Sequence, residues 1–453
     1  MLLSYSTHDT IAAIATPAGA GAVAILRLSG TNALPIAREL SGIEPRPRYA
    51  HVCTFRDENG LAVDHGLMLF FPGPRSFTGE DVVELHGHGG AVVSDWLLDN
   101  ALRLGARAAE PGEFTLRAFM NDKLDLAQAE AVADLVNSGS RAAVRAATRS
   151  LEGVFSGRVE EVQGRLTELR VQLEAWLDFP DEELELEDTS DFEARFEAAI
   201  GSLERLRSQA REGAVLRDGL NVVIAGPPNV GKSSLMNRLA GYDAAIVTQI
   251  PGTTRDPLRE HLSIDGLPVS LTDTAGFRVS RDPVETEGVR RARLAVERAD
   301  RLLWLVDVRD ELEEGLAQAR REAGDDIAVT MIQNKVDLVA AEPGCLERDG
   351  LTVISLSALT GEGVSLLRDH MKALAGFRGE VAGTFSARSR HVDAMKRAEN
   401  HVRGARAELL KTKALELVAE ELRSAQSALS EVTGEITSDD LLGEIFSSFC
   451  IGK

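Results

Sequence analysis

NVVIAGPPNVGKSS, residues 221–234, is the stretch that decides the fold. It carries G-x-x-x-x-G-K-[ST] as Gly226, Gly231, Lys232 and Ser233. The apolar, β-branched run Val222–Ile224 precedes the glycines, and the helix-forming stretch SSLMNRLAG follows them. Strand, glycine loop and helix in that order make a phosphate-binding loop. The glycines let backbone N–H groups turn toward phosphate oxygens. Lys232 is placed for the β- and γ-phosphates and the Ser233 hydroxyl for Mg²⁺, while the helix adds its positive dipole end.

Four more motifs follow in the order a guanine-nucleotide module requires. TQIPGTTRD, residues 248–256, offers Thr254 as a second Mg²⁺ ligand when a γ-phosphate is present. VSLTDTAG ends an apolar strand at Asp273, whose carboxylate suits water-mediated Mg²⁺ binding, and Gly276 is placed to sense the γ-phosphate. RLLWLVD ends a second strand at Asp307, and IAVTMIQ leads into NKVD, with Asn334, Lys335 and Asp337. A carboxylate here accepts from the ring N–H and exocyclic amine of guanine, a donor pair that adenine lacks. LTVISLSAL carries Ser357 and Ala358, whose backbone is placed to meet the base. Each motif is weak alone; in this order, each at a strand end, they specify an α/β GTPase with a doubly wound sheet.

Hydrolysis needs a positioned water. After DTAG, many small GTPases place a glutamine, but this chain has Phe277, with neither donor nor acceptor. The following loop offers Glu285 and Glu287, which either orient the water or are solvated charges. The phosphate loop lacks an arginine; the Asn229 side-chain carbonyl is an alternative means of holding a monovalent cation between phosphates.

The rest of the 453 residues leave room for about two further domains. Apolar residues at 44% and charged residues at 27% describe an ordinary soluble chain, expected in the cytoplasm. Cys53, Cys345 and Cys450 are widely spaced and form neither a disulfide framework nor a zinc pattern. No apolar run is long enough to cross a membrane, and the N-terminus does not read as a secretory signal. A net charge of −21 excludes nucleic-acid binding over the whole surface but permits a local basic patch. Residues 8–125 read as a small α+β domain, with strands at 22–28 and 67–71 and a helix at 91–104. PAGAGAV at 17–23 and the His86–His88 region read as glycine turns.

Residues 116–217 carry the periodicity of long amphipathic helices, broken by an acidic loop over 181–193. Arg141, Arg145 and Arg149 share one helix face, either a solvated stripe or an anion contact. Residues 385–433 are helix-forming again but too few for a core of their own, so they are expected to pack on 116–217 with the GTPase module inserted between. Between Arg388 and Lys413 the charge turns basic, as either a solvated helix face or an RNA-binding one. A last helix, SDDLLGEIFSS, begins at Ser438. Cys450 beyond it reads as a reactive thiol, a core anchor or, less readily with Gly452 in the motif, a lipid site.

GPPNVGKSS, PGTTRD, DTAGFR and NKVD, together with SFTGEDVVELHGHGG, PGEFTLRAF, NDKLDLAQAEA and the terminal TGEITSDDLLGEIFSSFCIGK, resemble the MnmE (TrmE) family of bacterial tRNA modification GTPases over nearly the whole chain. The resemblance implies four segments: an N-terminal folate-binding α+β domain over 1–118, helical parts over 119–217 and 380–453, and a GTPase domain over 218–379. It implies a cytoplasmic homodimer that joins an FAD-dependent MnmG-type subunit, in a heterotetramer, and acts on tRNA. The product is a carboxymethylaminomethyl or aminomethyl group on carbon 5 of the wobble uridine, with 5-formyl- or methylene-tetrahydrofolate as one-carbon source. GTP, Mg²⁺ and K⁺ complete the cofactors.

By position, the implied GTP contacts are Asn229, Val230, Gly231, Lys232, Ser233 and Ser234; Thr248, Gln249, Ile250, Pro251, Gly252, Thr253 and Thr254; Asp273, Thr274, Ala275 and Gly276; Asn334, Lys335, Val336 and Asp337; and Ser357, Ala358 and Leu359. Ser233 and Thr254 match the Mg²⁺ ligands, and Asn229, Thr248, Ile250 and Thr253 the K⁺ ligands. Glu285 matches the water-orienting glutamate, Cys450 the family cysteine, and Arg27, Glu84, Lys123 and Lys453 the folate contacts. Leu359 departs from relatives that carry arginine after Ser-Ala. Hydrolysis is implied to be activated by K⁺-dependent pairing of two GTPase modules. The GTPase motifs alone also fit a switch in ribosome or RNA-particle assembly.

Overall fold

The computed structural model describes residues 9–17, 19–178, 189–242, 259–273, 299–324, 327–339, 341–348, 351–377, 379, 383–411, 414–435 and 439–452. The chain forms two compact units, one of residues 1–136, 149–207 and 390–453, the other of residues 137–148 and 208–389. The implied boundaries at 118/119, 217/218 and 379/380 are finer than this division and are taken up as a proposal below.

The first unit begins with a six-stranded sheet in the order β3-β4-β5-β2-β1-β6. Its strands are β1 (Ile11–Ile14), β2 (Gly21–Ser29), β3 (His51–Arg56), β4 (Ala62–Phe71), β5 (Val82–Gly89) and β6 (Arg107–Ala108). Alternation along β2 and β5 turns Leu26, Leu28, Val83 and Leu85 inward, where α1 (Ala33–Ser41) and α2 (Ala91–Arg103) cover them. Arg27 and Glu84 fall on the opposite face by the same alternation, directly opposed in register. The structure corrects one expectation here. His86 and His88 lie within β5 rather than in a turn. The glycines around them serve close strand approach: a Cβ at Gly66 would stand 1.9 Å from the His86 carbonyl oxygen, and one at Gly89 2.4 Å from that of Gly21.

The helices of this unit are α3 (Glu113–Met120), α4 (Leu126–Asn137), α6 (Val154–Asp178), α11 (Ser389–Lys411), α12 (Leu415–Thr433) and α13 (Asp439–Ser447), with parts of α5 (Arg141–Leu151) and α7 (Thr189–Asp218). Leu166, Leu169 and Leu173 on α6 and Leu422, Ala425 and Leu429 on α12 are buried at helical spacing. Across the α6–α12 seam, Gln163 Nε2 donates to Gln426 O and to Ser430 Oγ, both at 3.0 Å. The two helical stretches therefore pack on each other, as their lengths require. Phe446 and Phe449 join Leu116, Leu126 and Ala129 in a small core that anchors the C-terminal segment on α3 and α4.

One further expectation changes and another narrows. Residues 189–193 open α7 rather than continuing a loop, with Glu193 in the first turns where an acidic side chain complements the helix dipole. Residues 181–188 lie outside the described residues. Within the basic stretch of 388–413, Arg390, Arg397, Arg403 and Arg406 are ion-paired with Glu130, Glu431, Glu204 and Glu197 on neighbouring helices. Those four charges are paired across helix seams while Arg397 and Arg403 stay about half exposed, so they make a solvated, ion-paired face rather than an open cationic one.

The second unit holds a seven-stranded sheet in the order β12-β13-β11-β10-β7-β9-β8. Its strands are β7 (Leu220–Ala225), β8 (Arg259–Ile264), β9 (Leu267–Asp273), β10 (Arg301–Asp307), β11 (Val329–Asn334), β12 (Gly344–Arg348) and β13 (Leu351–Leu356). The strands β9, β7, β10, β11 and β13 run parallel, with α8 (Lys232–Tyr242), α9 (Leu312–Ala323) and α10 (Val364–Leu374) beside them. β8 and β12 are antiparallel edges. The β8–β9 hairpin turns on Asp265-Gly266, both at positive φ. Arg368 and Lys372 of α10 hold the Asp265 carboxylate, keeping its pKa below the usual range chiefly through the Lys372 hydrogen bond.

A nucleotide site at the strand ends and a polar cluster on the N-terminal sheet

Parallel strands in one register end on one edge. Ile224 of β7 is opposite Asp273, Asp307 of β10 opposite Asn334, and Asn334 of β11 opposite Leu356. The phosphate loop, Asp273, Asp307, NKVD and the Ser357 turn therefore arrive at the carboxyl edge of one sheet, where open α/β folds bind ligands.

The phosphate loop leaves β7 at Gly226, whose φ is +144°. A Cβ there would stand 2.2 Å from the Leu305 carbonyl oxygen, so only glycine fits. Asn229 and Gly231 also take positive φ, at +61° and +101°. Lys232 is 8% exposed, and its Nζ donates to the carbonyls of Gly226 at 2.7 Å and Pro227 at 2.8 Å. The ammonium is thus held at the mouth of the loop. Ser233 and Ser234 are exposed in the first turn of α8, and Val230 is buried beneath.

Asn334 joins the phosphate loop to the base loop. Its Nδ2 donates to Val230 O at 2.7 Å, and its Oδ1 accepts the Ala358 N–H at 2.9 Å. A Cβ on Gly231 would meet that Nδ2 at 2.3 Å. Ser357 is buried, and its hydroxyl accepts the Thr360 N–H to close the turn. Arg238 on α8 donates to the carbonyls of Ala358 and Leu359. An open cavity of about 480 Å³ lies between that helix and the base loop, lined by Ser234, Asn237, Arg238, Gly241, Ala358 and Leu359. Asp337 is exposed in the turn Val336–Leu338 that follows the buried Val336. A second set of residues gathers in the first unit. Arg27 Nε donates to Glu84 Oε1 at 3.0 Å, and His86 Nε2 lies 3.2 Å from Glu84 Oε2. The Arg27 guanidinium sits over the Phe114 ring, 5.7 Å from its centroid. Its Nη1 also donates to Gly452 O at 3.3 Å, 425 residues away. Gly452 has φ +94°, and a Cβ there would stand 2.6 Å from Ile14 O. One residue pair earlier in the tail, Cys450 O accepts the Gly112 N–H at 3.3 Å, with its thiol exposed. Lys123 packs its stem near Gly79.

The family described as "MnmE helical domain" matches residues 126–450, and that described as "GTP-binding protein TrmE N-terminus" matches residues 10–123. The tRNA modification GTPase MnmE of Nitrosococcus oceani is 52% identical over 445 residues, 98% of this chain and 97% of the relative. This chain belongs to the MnmE family. Among solved structures, the G domain of the FeoB iron transporter of T. maritima is similar at 24% identity and TM-score 0.27, covering 34% of this chain and 98% of that one. A GTP-binding protein from Sulfolobus solfataricus in complex with GDP is similar at 22% identity and TM-score 0.27, covering 48% and 67%. The MnmE family is one of GTPases, and the strand edge described above is built as a P-loop GTPase requires.

Of the residues the sequence selects in this MnmE-family chain, Asn229, Val230, Gly231, Lys232, Ser233, Ser234, Asn334, Lys335, Val336, Asp337, Ser357, Ala358 and Leu359 lie on the turns described or in their immediate continuation. Asp273 ends β9. Arg27 and Glu84 meet; Lys123 lies by the Gly79 turn. Thr248, Gln249, Ile250, Pro251, Gly252, Thr253, Thr254, Thr274, Ala275, Gly276, Phe277, Glu285, Glu287, Ser438 and Lys453 lie outside the described residues. Arg238 and the bridging role of Asn334 were not foreseen. An arginine six residues after the P-loop lysine is an ordinary surface helix residue in sequence, and its carbonyl partners are 120 residues away or more. Among the described residues, no group of three or more His, Cys, Asp or Glu stands together as a metal site. No helix among them is long and apolar enough to cross a membrane.

Proposed function

We propose that this chain is the GTP-hydrolysing subunit of a complex that modifies carbon 5 of the tRNA wobble uridine. The observation that carries the reading is the 52% identity to a tRNA modification GTPase over 98% of the chain. The proposal places an N-terminal folate domain over 1–118, a helical domain over 119–217 and 380–453, and a GTPase domain over 218–379. It includes a cytoplasmic homodimer, an FAD-dependent MnmG-type partner and tRNA as substrate.

GTP would be gripped by the loop Asn229–Ser234 and by Asp337, with Ser357 to Leu359 closing over the base. The exposed Ser233 hydroxyl is a hard oxygen donor that suits Mg²⁺, with Thr254 as its proposed companion. Bound Mg²⁺ would neutralise charge developing on the β- and γ-phosphates. The exposed amide of Asn229, held in a left-handed turn, is a suitable donor for K⁺, with Thr248, Ile250 and Thr253 completing the proposed set. Glu285 would orient the attacking water. For tetrahydrofolate, Arg27 and Glu84 present an acid and a base on one sheet face, and the tail meets them at Gly452; Lys123 and Lys453 complete the proposed contacts. Cys450 is proposed to act in the modification chemistry.

Nucleoside mass spectrometry of bulk tRNA, with and without this protein in its host, tests the function. Loss of the 5-substituted wobble uridines, restored by the wild-type chain, is expected. An unchanged profile would reject the modification reading and direct attention to ribosomal particles. GTP turnover should be at least tenfold faster in K⁺ than in Na⁺, and Glu285→Ala should cut turnover about 100-fold while nucleotide binding persists. Equal rates in both salts would remove the cation from the mechanism.

Asp337→Asn offers xanthine's 2-oxo group a donor in place of the guanine amine's acceptor. It should lower GDP affinity by about 100-fold and raise that for the xanthine nucleotide. Competition against a fluorescent nucleotide measures both; a retained guanine preference would take Asp337 away from the base.

A further inference from the structure

Asp307 closes β10 in register with Asn334, the first residue of NKVD. The Val308 N–H donates to Asn334 O at 2.8 Å and locks the two strand ends together. The Asp307 carboxylate is 8% exposed. It accepts Arg309 Nε at 2.9 Å, Arg309 Nη2 at 2.7 Å and Lys335 Nζ at 2.9 Å. Arg309 reaches it from the surface, with a side chain 56% exposed. Lys335 is different, because both of its ends are fixed. Its backbone is held at φ +71°, a conformation that a lysine adopts only under constraint, and its ammonium is tied to Asp307. The four-carbon stem between these points is an apolar surface two residues from Asp337.

We propose that Asp307 is a positioning residue for the guanine end of the site: it fixes the Lys335 stem as a shelf for the base and through it sets nucleotide affinity. The proposal rests on the reading that Asp337 meets guanine. A free lysine chain must be ordered each time a nucleotide binds; one tied to a buried carboxylate is ordered beforehand, which removes that entropy from the binding step. Burial alone would raise the carboxyl pKa, but the Arg309 hydrogen bond, the largest contribution, and the one from Lys335 hold it well below the usual range. The tie is therefore charged at neutral pH.

The test is a double-mutant cycle on the full-length chain, read by dissociation of a fluorescent GDP analogue. Asp307→Asn should weaken binding about tenfold, Lys335→Ala at least as much, and the double variant no more than Lys335→Ala alone. The loss should fall on KM for GTP more than on kcat, since the substituted groups stand at the base end of the site. Arg309→Ala should bind normally. Asp307→Glu keeps the charge and should retain most of the affinity, and it serves as the probe if the asparagine variant fails to fold. Additive losses, a loss with Arg309→Ala equal to that with Asp307→Asn, or no rescue by glutamate would each overturn the proposal. The Asp337→Asn measurement is independent of the cycle, so a mistaken base contact is recognised separately.

Discussion

Replacing Lys232 by alanine is expected to lower GTP affinity about 100-fold and to remove measurable hydrolysis. The ammonium is almost wholly buried and already held by two carbonyls of its own loop, so it is preorganised where phosphate oxygens would arrive. A charge-assisted hydrogen bond to phosphate contributes about 1.5–3 kcal/mol, and loss of the charge in a shielded loop costs toward the upper end. Lys232→Arg should fail nearly as badly, because the planar guanidinium fork does not fit a cavity shaped by two carbonyls around a point charge. Titration with a fluorescent GTP analogue decides the matter, with melting temperature measured beside it. Binding within threefold of wild type would mean that the loop does not hold phosphates.

Glu130→Ala should be the most destabilising single substitution in the first unit, by about 3–5 kcal/mol, the usual cost of breaking a buried ion pair. Glu130 is 1% exposed on α4. Arg390 grips it twice, Nε to Oε1 at 2.8 Å and Nη2 to Oε2 at 2.9 Å, and His391 Nε2 lies 2.9 Å from Oε2. Without the carboxylate, the largely buried guanidinium, 22% exposed, keeps among the described residues its bond to Glu431 O. The first thermal transition should fall on the order of 10 °C. Adding Arg390→Leu should recover part of the loss, because the uncompensated charge then disappears; a further fall would contradict this account. Burial pushes the Glu130 carboxyl up, but His391 and Arg390 outweigh it and hold its pKa far below the ordinary 4.5. A depressed carboxyl stabilises the fold above the unfolded-state pKa. The contribution should thus be complete above about pH 5 and fade as pH falls further, and wild type and Glu130→Ala should converge there.

The GTPase half was legible because its chemistry is local. Gly226, Gly231 and Lys232 stand within seven residues, and the strand that aims them is a short apolar run. Asp307, Asn334 and Ser357 are marked by the same combination of apolar strand and polar end. Edge strands were not legible: GCLER in β12 alternates weakly, and β8 is named only by its Asp-Gly turn. Glycine was misread at His86–His88 because close approach and turning leave the same residue in the sequence. Charge at Arg388–Lys413 stayed open between a solvated face and an RNA-binding one for a deeper reason. The neutralising glutamates sit on other helices, 34 to 260 residues away, and a window of sequence shows only the cations. The cluster of Arg117 with Asp9, Glu80 and Glu113 was hidden in the same way, spanning up to 108 residues. In the N-terminal polar cluster, Arg27 and Glu84 were singled out only through family resemblance, since a lone arginine on one strand and a glutamate on another carry no motif.

The first unit is written in the sequence on both sides of residues 208–389, and this orders events in time. A ribosome that has finished α6 has made Leu166, Leu169 and Leu173 but not α12, which covers them. The intervening stretch takes about 10–40 s to synthesise at bacterial and slower rates. During that interval the inserted unit has all its strands and can close, whereas the enclosing one holds an apolar seam and the Glu130 carboxylate without Arg390 or His391. Vectorial synthesis therefore matures the molecule from the inside of the sequence outward, and the half-made enclosing unit is the species a chaperone would meet.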